Sequence, residues 1–149
     1  MNWAGSIYLL AVAWPLARTD IREHRLPNKY TLPAIAIALV AELIAAWLDD
    51  QWFNFLVAII CGIVAFGVAL LANRFATLGM GDVKLITAMS LCLGWFSPIA
   101  PLVALVIAFI VAGLVVLAKL ALRKTRMGQS IALGPYLLIG FVIALVMSC

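Results

Sequence analysis

Residues 52–73 read WFNFLVAIICGIVAFGVALLAN, a run without a charged side chain. Coiled as an α-helix at ~1.5 Å per residue, such a stretch crosses the ~30 Å of hydrocarbon in a bilayer. It shows none of the apolar–polar alternation of the ~10-residue strands in a membrane barrel. Several apolar runs in this chain reach the ~20 residues that such a crossing needs.

On either side the pattern repeats. Hydropathy divides the chain into six spans, at about Asn2–Ala17, Thr31–Leu48, Trp52–Asn73, Val83–Phe96, Pro98–Leu122 and Ile131–Ser148. Composition agrees: 67% of residues are hydrophobic and 11% charged, and mean hydropathy is +1.21. A soluble domain carries roughly a quarter charged residues. The expected fold is therefore an all-α integral membrane protein, a bundle of six transmembrane helices. It forms a single membrane-embedded domain over residues 1–149, with no soluble domain between spans.

The basic residues orient this bundle. Arg18, Arg22, Arg25 and Lys29 lie between spans one and two, and Arg74 and Lys84 flank the connection from three to four. Lys119, Arg123, Lys124 and Arg126 lie at or near the connection from five to six. All fall on one face. The other connections hold Asp49 and Asp50, or the uncharged SPIAP. The positive-inside rule then puts the basic loops in the cytoplasm and both termini outside, in a multi-pass protein of the cytoplasmic membrane. The net charge of +4 is read as orientation and contact with anionic membrane lipids, and no nucleic-acid partner is expected.

Smaller features fit the same picture. Cys61, Cys92 and Cys149 stand far apart, with His24 the single histidine, so no metal site is expected. The N-terminal apolar stretch lacks a basic region before it, so it reads as a retained span rather than a signal peptide. Pro98 and Pro101 suit the opening turn of span five. Pro15 bends the end of span one, and Gly134 and Pro135 mark an irregular start to span six. Trp3, Trp47, Trp52 and Trp95 fall near span ends, where interfacial anchors sit.

Against this background LGMGDVKL, residues 78–85, is out of place, because it sets Asp82 behind two glycines where span four begins. That span holds only ~14 residues beyond Asp82, roughly 21 Å of helix, so bilayer thinning or a turn dipping below the surface must compensate. Asp82 suits an N-cap, with glycines permitting the turn before it. A second acidic group, Asp20, lies in RTDIREHRLPNKY, residues 18–30. Two complete spans separate Asp20 from Asp82, and an even number of crossings returns a chain to the same face. Two carboxylates that meet cannot both ionise cheaply, so one keeps a proton while the other acts as a base. Such a pair can hydrolyse a peptide bond: the base draws a proton from water, and the acid protonates the departing amine. Glycines beside Asp82 leave room for a substrate backbone.

These residues resemble the type IV prepilin peptidases, membrane aspartic proteases with a GxGD signature. The resemblance has two anchors, Asp20 followed by LPN at 26–28, and GMGDVKL around Asp82. IALGPYLLIG, near the end, looks like the family's proline-containing final span. The resemblance implies that Asp20 and Asp82 are the catalytic pair, needing no metal or organic cofactor. It also implies cleavage of a short basic leader from prepilin-type substrates at the cytoplasmic face, ahead of their hydrophobic helix. Larger members carry a cysteine-rich metal site and a second activity that methylates the new N-terminus. This chain has no CxxC pair and no room for an inserted domain, and so is similar to the small peptidase-only form of Flp-type pilus or preflagellin systems.

Other polar residues take lesser parts. Gly79 and Gly81 shape the turn that presents Asp82, while Pro27 and Asn28 fix the start of span two and so position Asp20. Glu23 is a candidate to touch a basic leader. Lys84 either stabilises the neighbouring carboxylate's charge or reaches lipid phosphate. Arg22, Arg25 and Lys29 pair with lipid headgroups, and His24 is an exposed loop residue. Glu42 lies inside the outer half of span two, away from the aspartates, as a polar helix contact or near the outer interface. The rival reading is a non-enzymatic component of a secretion or pilus assembly, or a small transporter, in which the aspartates bind a cation or cap helices.

Overall fold

A computed structural model of the chain describes residues 6–11, 18, 28–76, 79–122 and 133–148. Spans two to six appear as helices. We label the helical residues 6–11 α1, followed by α2 (Asn28–Asp49), α3 (Trp52–Ala76), α4 (Met80–Gly94), α5 (Ala100–Ala121) and α6 (Gly134–Ser148). No strand occurs among the described residues. Two helices, Trp52–Phe75 and Ala100–Ala121, are long and apolar enough to cross a membrane, and α6 is a shorter apolar helix.

Short connections make α2, α3 and α4 run back and forth. Asp50 and Gln51 alone join α2 to α3, and Asp50 adopts a left-handed backbone with φ 54°. Aspartate tolerates that conformation better than most non-glycine residues. At this turn Trp52 meets Trp47 and Phe55 edge to face, with ring centroids 6.1 and 6.3 Å apart. Pro101 lies in the first turn of α5, where its missing N–H costs no helical bond. Pro98 precedes the helix rather than opening it. Gly134 and Pro135 begin a regular helix instead of an irregular one, by the same rule.

Helix α4 is the hub, touching α2, α3, α5 and α6. From Val83 through Trp95 every residue except Lys84 is buried. A helix so ringed is shielded by its neighbours along its length. This burial corrects the reading of Trp95, which is 4% exposed and packs on Ala46 and Ala58 instead of anchoring at an interface. Trp47 and Trp52 are exposed, as anchors are.

Small residues let the helices close. A Cβ on Gly94 would lie 2.9 Å from the Ala58 Cα, and one on Gly62 would lie 2.7 Å from Leu91. On α5, Ala100, Ala104, Ala108 and Ala112 are buried at four-residue intervals, and a Cβ on Gly140 of α6 would collide with the Ala104 carbonyl. Large apolar side chains point the other way. Phe53, Leu56 and Ile63 of α3, Leu114 and Leu117 of α5 and Val146 of α6 are all exposed. So continuous an apolar outer surface suits contact with lipid or another protein, not water.

Candidate active site around Asp82

Helix α4 starts earlier than the hydropathy suggests. Gly79 occupies the N-cap position, and the Val83 N–H donates to the Gly79 carbonyl over 3.2 Å. Asp82 is therefore the third residue of the first turn rather than the cap, and no side chain caps the helix. A carboxylate in this turn faces the positive end of the helix dipole. Asp82 is half-buried overall, with its Oδ1 shut off from solvent.

Gly79 serves this carboxylate by its size. Its backbone angles, φ −63° and ψ 140°, are open to any residue, so the turn itself does not demand glycine. A Cβ at this position would stand 3.1 Å from the Asp82 Oδ2. The side chain of Asp82 thus folds back over the space that Gly79 leaves. Gly81, in the first turn, is half-buried. Lys84 is also half-buried.

Asp82 lies at the same end of the bundle as the start of α2. Helix α2 runs away from Asn28, α3 returns, and only residues 77–79 separate it from α4. Asn28 is the first residue of α2. Asp20, Glu23 and Pro27 lie outside the described residues. Asp20 precedes Asn28 by eight positions in the chain. Fully extended, that tether reaches at most about 28 Å.

Glu42 lies elsewhere. It is 3% exposed, with its Oε2 buried and making no hydrogen bond among the described residues. It interacts electrostatically with the Cys92 thiol of α4, and Ser6 of α1 is beside that thiol. Cys92 is ten residues beyond Asp82, about 15 Å along α4. Glu42 is therefore a polar group inside the bundle. Its position in span two was legible, whereas Ser6 and Cys92 carried no signal of proximity. Among the described residues no three His, Cys, Asp or Glu side chains gather closely enough to hold a metal ion.

Residues 7–118 match the model of the type IV leader peptidase family. The chain is 31% identical to the prepilin leader peptidase/N-methyltransferase of Pectobacterium carotovorum subsp. carotovorum, covering 97% of this chain and 51% of the relative. It is 30% identical to the protein of the same name from Escherichia coli strain K12, covering 87% and 57%. The chain spans about half the length of the curated relatives it matches. No solved structure matches it. With the family match running from α1 almost to the end of α5, across the GMGD turn and the helix it opens, the chain belongs to the type IV leader peptidase family.

Proposed function

We propose that the protein is a membrane aspartic endopeptidase that removes the basic leader from prepilin-type precursors at the cytoplasmic face. The observation that carries this reading is Asp82, set in the first turn of the central helix with the space of Gly79 beneath its carboxylate. A carboxylate placed there is fixed by backbone, partly shielded from water and still reachable from the end of the bundle. Asp20 supplies the second carboxylate, drawn from the segment before α2. One member of the pair removes a proton from water, the resulting hydroxide attacks the scissile carbonyl, and the other protonates the amine that leaves.

The same reading makes the bundle a six-span protein of the cytoplasmic membrane, with both termini outside and the GMGD turn on the basic side. Family membership, two helices of membrane-crossing length and the apolar outer surface support it. Glu23 contacts the leader, while Pro27 and Asn28 hold Asp20 in place. We further infer peptidase action without N-methylation, because Cys61, Cys92 and Cys149 form no CxxC pair.

The test is co-expression with a prepilin precursor. Asp20→Asn and Asp82→Asn each leave the protein inserted in the membrane and abolish leader removal. Processing undiminished in either variant removes that residue from the pair. A transporter or assembly component predicts instead normal processing in cells lacking the chain, or a measurable solute flux. Mass spectrometry of the mature pilin reads the methylation question, an unmodified N-terminal amine being the expected result.

A further inference from the structure

A cavity of about 430 Å³ opens between α3 and α5, within the ~300–1,000 Å³ range of ligand-holding clefts. Its α3 wall carries small residues at helical spacing, Cys61, Ala65, Ala69 and Ala72, flanked by Ile60, Val64 and Val68. Its floor is Ile86 and Ser90 of α4. At the far end the Cys61 Sγ lies 3.9 Å from the Pro98 carbonyl, closing the groove against the turn before α5.

Two features separate this groove from an ordinary lipid-filled furrow. Ser90 is 2% exposed, lines the cavity and makes no hydrogen bond among the described residues. A buried hydroxyl with its surroundings otherwise apolar is unfavourable until an occupant supplies a partner. Secondly, Asp82, Ile86 and Ser90 are spaced i, i+4, i+8 and so share one face of α4. The floor of the groove therefore starts one turn beyond the candidate catalytic carboxylate, on the same side of α4.

Resting on the peptidase reading above, we propose that this groove receives the hydrophobic helix of the precursor itself, which aligns the bond ahead of that helix with Asp82. Small residues on α3 allow two helix backbones to approach closely, the usual basis of helix association in lipid. An acyl chain offers Ser90 no acceptor, whereas a helix offers a side chain or carbonyl. Ser90 lies eight residues past Asp82, about 12 Å along the axis. A substrate residue about eight positions beyond the cut bond is thus level with Ser90, and a small or hydrogen-bonding side chain is favoured there. The basic leader, on the other side of the bond, continues past Asp82 toward the open end of the bundle.

The experiment places a photo-reactive phenylalanine analogue at exposed positions of the Asp82→Asn variant, so that bound precursor remains uncut. Val68 and Leu102 line the groove and are 58% and 64% exposed, so substitution there leaves the packing intact. Ile63 and Leu114, 65% and 61% exposed and outside the groove, serve as controls. Irradiation in membranes containing the precursor gives an enzyme–precursor adduct at the two groove positions and none at the controls. Adducts at all four positions, or at the controls alone, overturn the proposal. Lipid adducts without precursor, in a chain that still processes precursor when Asp82 is intact, overturn the groove and leave the peptidase reading standing. Groove adducts with no processing by the intact chain do the reverse, and the absence of both adduct and processing contradicts both.

Discussion

Gly79 and Asp82 work as one unit at the level of single residues. Because the Gly79 backbone is ordinary in its angles, Gly79→Ala folds normally; the added methyl, 3.1 Å from the Asp82 Oδ2, pushes the carboxylate aside. Displacing a reacting group by under 1 Å costs roughly up to 10²-fold in rate. Precursor processing by Gly79→Ala is therefore expected to fall steeply at unchanged protein level. Wild-type rates would show that the carboxylate has room elsewhere. Glu42 makes the opposite prediction. It is buried in α2 and interacts electrostatically with Cys92, which lies about 15 Å along α4 from Asp82, so Glu42→Gln retains processing. Loss of activity with normal insertion would give Glu42 a part in the chemistry. The GMGD motif was legible from its glycines and its place at a hydropathy boundary. That Asp82 sits inside the first turn was not, because capping residue types are shared by the cap and the turn after it.

Among the helices, the close contacts concentrate at glycine and alanine. In lipid the hydrophobic effect gives little for helix association, which depends instead on packing of small residues. Gly140 of α6 rests on the Ala104 carbonyl and Ala108 of α5, and Gly94 of α4 rests on Ala58 and Cys61 of α3. Gly140→Leu and Gly94→Leu force these pairs apart, at a cost of about 1–3 kcal/mol each for overpacking. Gly67, whose added Cβ would meet nothing, is the control: Gly67→Ala is neutral or slightly stabilising. Resistance to heat or detergent denaturation, followed by protease sensitivity, reads these differences. Equal behaviour of Gly140→Leu and Gly67→Ala would contradict the packing. Hydropathy recovered helices two to six to within a few residues, since each is bounded by charge, proline or glycine. It was silent on which helix lies at the centre. Helix α4 is no more apolar than its neighbours, and its short length pointed equally to a dipping turn or a thinned bilayer.

For the molecule as a whole, the claim is that two carboxylates from segments more than sixty residues apart meet at one end of the bundle. The back-and-forth run of α2, α3 and α4 sets Asp82 at the end where α2 begins, and the proposal draws Asp20 from the segment just before α2. The same run predicts membrane sidedness. Single cysteines introduced at Met80 and at Gln51, both exposed, label from opposite sides of a sealed cell, with Gln51 reached from outside. Labelling of both from one side would break the six-span topology. Convergence of the pair is tested most directly by replacing Asp20 and Asp82 together with cysteine, in a chain whose own three cysteines are changed to serine or alanine, and treating membranes with a short bifunctional thiol reagent. The account predicts a cross-linked loop within one chain, seen as a mobility shift that requires both cysteines. A double-cysteine protein that is inserted, reacts singly at each position and never closes that loop would contradict it.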